Sequence, residues 1–412
     1  MRNGDESGKS ADVAVVGGGV IGLSVARELG RRGARVVLIE RGELGAESSW
    51  AAAGMLAPQV EAGAADAFFA FASASRDAYP DFARALEEES GINIELDLTG
   101  TLYLAFNAED EEECERRYAW QTRAGLRVER LTANEVRALE PQVSARVRSA
   151  LRFPLDGQVE NRRLTSALAR ACAARGVCLI TRAEVASIRV EDGRATGLET
   201  SCGVIRAGAV LVACGAWSTL LPLVQRKGSL DQRDDASFEQ RDNISSRERG
   251  SDGAGVCIEP VRGQMLCFAP RTPPLVRHVV YSPRGYIVPR RDGRLLAGTT
   301  TEHAGFDKSL TDAGRLAIKN HAREIAPAVD ELNLSEAWAG LRPHAADDWP
   351  VIGACRDAPN LFYATGHYRN GILLAPQTGA LVARMILERG VVPGMLKPFA
   401  PERFRRAAAG AV

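Results

Sequence analysis

The sequence lacks the residue patterns that mark most metal, membrane and nucleic-acid proteins. Its five histidines and eight cysteines show no metal-ligand spacing and no C-x-x-C pair, so we predict no metal site and no disulfides. No apolar run approaches the roughly 20 residues that cross a bilayer, and residues 1–11 lack the apolar core of a signal peptide. Basic and acidic residues balance at 52 each, which provides no overall positive charge for nucleic acid. We therefore expect a cytoplasmic protein with no membrane or nucleic-acid partner.

What the sequence has is the composition of an ordinary globular protein. Apolar residues make up 45% of the 412 positions and charged residues 25%, and this length suggests two domains. One stretch differs, because residues 226–253 have few apolar side chains and mixed charges, too little apolar surface to offset the entropy of ordering. We predict that residues 226–253 form a disordered surface insertion.

The glycine-rich stretch at residues 13–22 is the most informative part of the chain. An apolar run is typical of a buried strand, three glycines then open an amphipathic helix, and a second apolar run ends in Glu40. In such a unit Gly17 permits the tight turn, Gly19 lets backbone N–H groups approach a pyrophosphate, and Gly22 lets the helix pack closely on the strand. Glu40 can accept hydrogen bonds from ribose hydroxyls and disfavours a 2′-phosphate. The pattern indicates a site for FAD or NAD, with an ordinary βαβ turn as the alternative.

Later segments extend this unit into a two-domain organisation. Ser48 and Ser49 precede small residues that suit close packing against a planar ring system or against the sheet. Residues 183–206 are predicted to form a three-stranded meander, and a separate buried strand follows at residues 209–216. From residue 256 the strand patterns are typical of an antiparallel sheet.

The predicted fold class is therefore α/β. It combines a Rossmann-like FAD-binding domain, built on a doubly wound parallel sheet, with an antiparallel-sheet substrate-binding domain of α+β type. The predicted boundaries are 11–90, 155–225 and 335–412 for the discontinuous FAD-binding domain, and 91–154 and 254–334 for the substrate-binding domain.

Four motifs narrow the prediction to a family. They are Ser48-Ser49, Gly54-Met-Leu-Ala-Pro58, Gly340-Leu-Arg342-Pro and Gly366-His-Tyr-Arg-Asn-Gly-Ile-Leu-Leu-Ala-Pro376. Together they resemble the D-amino-acid oxidase family of FAD enzymes, and within it the glycine oxidases linked to thiazole synthesis for thiamine. The likeness runs from about residue 11 to 389 and is interrupted by residues 226–253. The C-terminal motif is the most discriminating of the four.

The resemblance implies three catalytic-site residues. Arg342 and Tyr286 bind the carboxylate of an amino acid, and Arg369 lies close to the flavin and the substrate amine. Independently, a guanidinium fork suits a carboxylate and a phenol adds a directional donor, although a surface salt bridge is the alternative for each arginine. The sequence departs from the expected apolar pocket at the hydroxyl-rich loop 298–301, and Arg284 precedes the Gly285-Tyr286 pair.

The resemblance also implies a set of FAD-contacting residues. The backbone N–H groups at residues 371–373 are expected to face the flavin C2 carbonyl and N1, where negative charge develops on reduction. No cysteine lies near Arg342 in the sequence, so we expect FAD to be bound noncovalently. The predicted cofactor-binding residues are Gly17, Gly19, Val20, Ile21, Gly22, Glu40, Arg41, Ser48, Ser49, Ala53, Gly54, Met55, Val185, Cys214, Gly215, Trp217, His367, Arg369, Asn370, Gly371, Ile372 and Leu373.

The implied activity is the oxidative deamination of glycine and other small amines, such as sarcosine and small D-amino acids. The amino acid and molecular oxygen would be the small-molecule partners, the products a 2-oxo acid, ammonia and hydrogen peroxide, and a homo-oligomer is expected. A D-amino-acid dehydrogenase that passes electrons to a quinone is one alternative, disfavoured by the lack of an apolar membrane-docking stretch. A flavin module acting on RNA is another, disfavoured by the zero net charge.

Overall fold

The computed structural model describes residues 10–225, 256–388 and 391–404, so the insertion predicted at 226–253 lies outside the described residues. Within these ranges, no helix combines the length and apolarity needed to cross a membrane. The strands are β1 (Ser10–Val16), β2 (Val36–Ile39), β3 (Met55–Leu56), β4 (Thr101–Ala105), β5 (Glu129–Thr132), β6 (Ser149–Phe153), β7 (Gly157–Gln158), β8 (Cys178–Ile180), β9 (Val185–Glu191), β10 (Arg194–Thr200), β11 (Gly203–Val212), β12 (Leu223–Gln225), β13 (Ile258–Phe268), β14 (Val279–Ser282), β15 (Gly285–Pro289), β16 (Leu295–Gly298), β17 (Leu334–Ala345), β18 (Val351–Cys355) and β19 (Ala358–Thr365).

The helices are α1 (Val20–Arg31), α2 (Ser48–Ala51), α3 (Pro58–Glu61), α4 (Ala67–Asp77), α5 (Tyr79–Ser90), α6 (Ala108–Arg123), α7 (Ala133–Leu139), α8 (Asn161–Ala174), α9 (Asp312–Ile325) and α10 (Gly371–Leu387), with 3-10 helices at Gly215–Leu220, Pro327–Glu331 and Gly394–Phe399. Helix α1 joins the parallel strands β1 and β2, and α8 leads into the next parallel strand, β8.

A parallel sheet forms the first layer of the fold. Strands β8, β2, β1, β11 and β19 lie side by side and run parallel. Alternate residues of β1 enter different cores: Val13 and Val15 pack with α1, α8 and α10, whereas Ala14 and Val16 pack with the inner face of β9 and β10. Because both faces are covered, the strand is apolar and buried from Val13 to Val16, as the sequence predicted.

Strand β11 changes partner part-way along its length. Its first half pairs with β10 and its second half pairs with β19, while β1 lies along its other edge. At the fork, the Asn360 side chain accepts a hydrogen bond from the Ala195 N–H at 2.9 Å and donates to the carbonyls of Ala195 and Gly208 at 2.7 and 2.9 Å. The two strands predicted separately at 203–206 and 209–216 are therefore one strand, because the amide side chain satisfies the backbone groups where the partner changes.

The second sheet carries residues of the predicted substrate site. Its order is β17-β13-β16-β15-β14-β4-β6-β5, and its pairs are antiparallel except for β14 with β4. Together the two sheets confirm the predicted fold class. The domain boundaries stay a prediction. The pairing adds that β17, which lies in the predicted 335–412 segment except for its first residue, hydrogen-bonds along β13 in this second sheet.

Helix α10 begins at the site and contains a proline at its second turn. Pro376 has no N–H, so the carbonyl of Ile372, four residues earlier, loses its helical partner. The hydroxyl of Tyr79, which is fully buried, donates to that carbonyl instead. A hydrogen bond from α5 thus stabilises the first turn of α10.

Tyr79→Phe is expected to destabilise the protein by about 1–3 kcal/mol, because the Ile372 carbonyl is left buried without a donor. Pro376→Ala restores an N–H at that position, so the same Tyr79→Phe change should have a smaller effect in the Pro376→Ala background. Urea unfolding of the four proteins of this cycle measures both effects. If Tyr79→Phe lowers the free energy of unfolding equally in both backgrounds, the Tyr79 hydroxyl does not compensate for the missing N–H of Pro376.

Candidate functional site

A cavity of about 300 Å³ opens at the carboxyl ends of β1, β2 and β11. Its walls come from the glycine turn after β1, the loop after β2, the 3-10 helix after β11 and the start of α10. Ligands of parallel α/β sheets bind at this edge, because loops and helix N-termini meet there. A second, inner cavity of about 80 Å³ adjoins it, and the two share wall residues Ser48, Ala52, Tyr368, Arg369 and Ile372.

The three predicted glycines have different structural roles. Gly17 has φ +107°, and a Cβ there would lie 2.4 Å from the Ala213 carbonyl oxygen. A Cβ at Gly22 would lie 1.9 Å from the Gly17 carbonyl oxygen, so this position holds α1 against the strand end. A Cβ at Gly19 would meet only the Ser49 hydroxyl, at 3.3 Å, on the cavity wall. Gly17 and Gly22 therefore determine the path of the backbone. Gly19 has no side chain that would project into the cavity.

Two side chains hold the backbone N–H groups of this turn. The Val20 N–H, at the start of α1, donates to Ser49 Oγ at 2.9 Å. Glu40 accepts from the Gly18 N–H at 2.7 Å and from the Gly42 N–H at 2.9 Å. The helix N-terminus and the carboxylate at the end of β2 thus face the same cavity, as the sequence predicted.

The far wall combines an arginine–tryptophan pair with a thiol and an imidazole that carry no charge. The Arg41 guanidinium lies 3.9 Å from the ring centre of Trp217. The Cys214 thiol donates to the Val16 carbonyl at 3.3 Å, and burial raises its pKa to about 12. Burial lowers the pKa of His367 to about 3, so this imidazole is neutral beside Thr378 Oγ1 at 3.2 Å.

The guanidinium of Arg342 forms one end of the inner cavity. Its Nη1 donates to the carbonyls of Thr300 and Arg262 at 3.1 and 3.5 Å, and its Nη2 donates to Thr299 Oγ1 at 2.6 Å. A Cβ at Gly263, on the neighbouring strand β13, would lie 2.1 Å from Nη2, so only glycine leaves room for this side chain. Burial and the charge of Arg369 hold the pKa of Arg342 below its usual value, yet a guanidinium stays protonated.

Tyr286 and Arg369 complete this end of the site. The Tyr286 hydroxyl lies 3.4 Å from the Met265 sulfur, over Gly298, where a Cβ would lie 2.7 Å from the hydroxyl oxygen. Burial raises the pKa of Tyr286, so the phenol keeps its proton and can donate. Arg369 Nη2 donates to Thr301 Oγ1 at 2.6 Å. The hydroxyl-rich loop that departed from expectation therefore positions both arginines.

The structure brings nearly all the predicted residues to the two cavities. Gly22 and Leu373 line neither: Gly22 is a packing position and the Leu373 side chain lies in the core. Predicted residues on the outer cavity are Gly17, Gly19, Val20, Ile21, Glu40, Arg41, Ser48, Ser49, Val185, Cys214, Gly215, Trp217, His367, Arg369, Gly371 and Ile372. Those on the inner cavity are Ser48, Ala53, Gly54, Met55, Tyr286, Arg342, Arg369, Asn370 and Ile372.

Eight residues of the inner cavity were not among the predicted site residues: Ala51, Ala52, Ala57, Glu61, Gly263, Met265, Gly340 and Tyr368. Gly263 had a detectable signal, because a glycine inside a strand often marks a close approach of another group. Glu61 had none, since it lies three residues beyond the motif that ends at Pro58 and gains its position from distant parts of the chain.

Comparison with known proteins identifies the family. The profile of the family described as FAD dependent oxidoreductase matches residues 12–233 and 243–385. The chain belongs to this FAD dependent oxidoreductase family. Glycine oxidase of Geobacillus kaustophilus (strain HTA426) is 35% identical over 395 residues, covering 95% of this chain and 97% of that protein. The crystal structure of glycine oxidase from Geobacillus kaustophilus superposes with a TM-score of 0.84 at 33% identity, covering 96% of this chain and 99% of that one.

Another relative is named as a bifunctional protein. The Bifunctional protein ThiO/ThiG of Synechocystis sp. (strain ATCC 27184 / PCC 6803 / Kazusa) is 31% identical over 401 residues, covering 96% of this chain but 54% of that protein. These comparisons confirm the predicted resemblance, the FAD cofactor and the enzyme class, an FAD-dependent amino-acid oxidase. The cytoplasmic location, the homo-oligomer and the absence of metal stay predictions.

The described residues fit FAD. The space beside Gly19, which a side chain would fill, adjoins the N-terminus of α1. The Glu40 carboxylate lies at the end of the next strand. These are the three features that hold a pyrophosphate and a ribose in dinucleotide sites. The opposite walls carry Trp217 and small residues such as Ala52 and Gly371, against which a planar ring system could pack.

Gly19→Leu is expected to yield protein with at least tenfold weaker FAD affinity, because the side chain would occupy the wall beside Ser49. The visible absorbance of purified protein relative to its absorbance at 280 nm measures the bound flavin. Gly63→Leu is the matched control, since a Cβ at Gly63 meets nothing within 4 Å. A fully yellow Gly19→Leu protein would contradict the assignment.

Proposed function

We propose that the chain catalyses the oxidative deamination of glycine and other small amines, including sarcosine and small D-amino acids. With glycine, oxygen and water are consumed, and a 2-oxo acid, ammonia and hydrogen peroxide are formed. The proposed physiological role is thiazole synthesis for thiamine. Relatives named glycine oxidase and ThiO/ThiG support the substrate and the role.

The observation that carries this proposal is the incomplete pairing of Arg342 inside a small cavity. A guanidinium has five N–H donors. Arg342 makes three hydrogen bonds to described residues. Two donors are left for a ligand, enough for the paired, charge-assisted hydrogen bonds that a carboxylate accepts. A cavity of about 80 Å³ favours an acid with a small side chain.

The remaining groups orient the substrate. Tyr286 contributes a phenol hydroxyl, held protonated by burial, as a further donor to the carboxylate. Met265 and Met55 provide apolar walls without a charge. Since binding fixes the carboxylate end, the Cα–H bond of the substrate keeps one direction, and orientation of this kind can supply a large part of the rate acceleration.

The start of α10 supplies the electrostatic part of the site. Gly371 and Ile372 line the outer cavity, and N–H groups in a first helical turn lack intrahelical partners. The chemistry that FAD would supply here, when bound, is acceptance of a hydride equivalent and reoxidation by oxygen. The positive end of the helix would favour negative charge in this part of the cavity. Among the described residues that line the two cavities, Cys214 is the one cysteine, and its protonated thiol, which donates to a backbone carbonyl, supports noncovalent binding.

The electron acceptor is tested by adding glycine to the purified yellow protein without oxygen. Loss of the visible flavin band, followed by its return with one peroxide per glycine when air is admitted, is the expected result. A band that glycine bleaches but air restores only in the presence of a quinone would support the dehydrogenase alternative instead. A band that no small amine bleaches would refute the proposed function.

Arg342→Ala is expected to raise the KM for glycine by roughly 100-fold or more, because two charge-assisted hydrogen bonds of about 1.5–3 kcal/mol each are lost. The flavin content should stay that of the unmodified protein. Steady-state kinetics with a visible spectrum of each sample measure both. Arg123→Ala, at an exposed position of α6, removes the same charge away from the site and should leave KM unchanged. An unchanged KM in Arg342→Ala would exclude this residue from carboxylate binding.

A further inference from the structure

The inner cavity contains a carboxylate that the proposed function leaves without a role. Glu61, the last residue of α3, lines this cavity together with Arg342, Arg369 and Tyr286. Among the described residues of the cavity wall it is the one acidic side chain. Its carboxylate makes no ion pair within 4 Å with any described arginine, so no direct contact with a cation occupies it.

The backbone that carries Glu61 is held on both sides by charged groups. The carboxylate of Asp156, which is fully buried, accepts hydrogen bonds from the Val60 and Gln59 N–H groups at 3.1 and 3.4 Å. The Arg117 guanidinium donates to the Val60 carbonyl and, at 3.4 Å, to the carbonyl of Ala62. Because the backbone on each side of Glu61 is hydrogen-bonded in this way, the position of its Cα does not depend on a bound ligand.

One oxygen of the Glu61 carboxylate is bound and the other is left for a ligand. The Tyr281 hydroxyl donates to Oε1 at 2.8 Å, and the Tyr281 ring packs on Tyr286 with 5.2 Å between ring centres. No other residue in the described part of the chain hydrogen-bonds this carboxylate, and its side chain is open to solvent through the cavity. The surrounding protein raises the pKa of Glu61, while the Tyr281 hydrogen bond and the charges of Arg369, Arg342 and Arg117 oppose that rise.

We propose that Glu61 binds the amino group of the substrate, so that Arg342 and Glu61 together recognise the two charged ends of one amino acid. This inference rests on the proposed function, since it concerns the other end of the same substrate. A cavity with guanidinium groups alone would bind any small carboxylate. The Glu61 charge favours acids that also carry a cationic amine and repels those that do not.

This arrangement also separates substrate from product. The 2-oxo acid keeps the carboxylate but has no amine, so it gains the attraction of Arg342 and meets the repulsion of Glu61. The same charge that strengthens binding of the amino acid therefore weakens binding of the product. Glu61 acts here as a substrate-binding and specificity residue, and no covalent or redox step passes through it.

The test compares two ligands that have the same shape and differ in charge. Glycine and propionate both carry a carboxylate, and propionate has a methyl group where glycine has its ammonium group. The holoenzyme is titrated with propionate, and the change in its flavin spectrum gives Kd; the KM for glycine is measured in parallel. Glu61→Gln is expected to raise the glycine KM about tenfold or more and to leave propionate binding unchanged or several-fold tighter. Glu112→Gln, on the exposed face of α6, removes the same charge from the surface and should change neither value.

Glu61→Asp keeps the charge but withdraws it by one methylene, and it also serves if Glu61→Gln fails to yield yellow protein. Glu61→Asp should raise the glycine KM less than Glu61→Gln does, and propionate should still bind it weakly. Equal weakening of both ligands, or an unchanged glycine KM, would overturn the assignment, because a merely structural carboxylate does not distinguish them. If the unmodified protein neither binds glycine nor loses its flavin band with it, the proposed function fails first and independently of Glu61.

Discussion

The constraint on which the site depends is the approach of backbone to backbone at the end of β1. The space for a side chain at Gly22 is taken by the Gly17 carbonyl, and that at Gly17 by the Ala213 carbonyl. Helix α1 and the segment after β11 can therefore reach the same point only if both positions lack a Cβ. This contact puts the N-terminus of α1 opposite the Cys214 wall and fixes the width of the outer cavity.

Features encoded within one βαβ unit could be predicted from the sequence. The glycine turn, the buried strand and Glu40 lie within 28 residues, and their roles follow from local sterics and helix polarity. Features set by tertiary contacts could not. The continuity of β11 depends on the Asn360 side chain about 150 residues away, and the proline in α10 is tolerated because Tyr79, in another helix, replaces the missing donor.

The same division applies to the candidate site. Arg342, Tyr286 and Arg369 came from family motifs, and the structure brings all three to one cavity. Glu61 gave no pattern in the sequence, because its position is produced by partners far along the chain: Asp156 is 96 residues from Val60, and Tyr281 is 220 residues from Glu61. A helix of four residues is too short to show an apolar periodicity from which such a role could be predicted.

The inner cavity is an arrangement that a protein core selected for stability alone would avoid. The half-paired guanidinium of Arg342 carries a desolvation penalty, which lowers its pKa, and a second cation, Arg369, lies in the same cavity. Charges in that state are normally paired or absent. Here the pairs are incomplete at both ends, by two donors on Arg342 and one oxygen on Glu61. A small zwitterion supplies the missing acceptor and the missing donors at once, so the groups that weaken the fold become the source of substrate affinity.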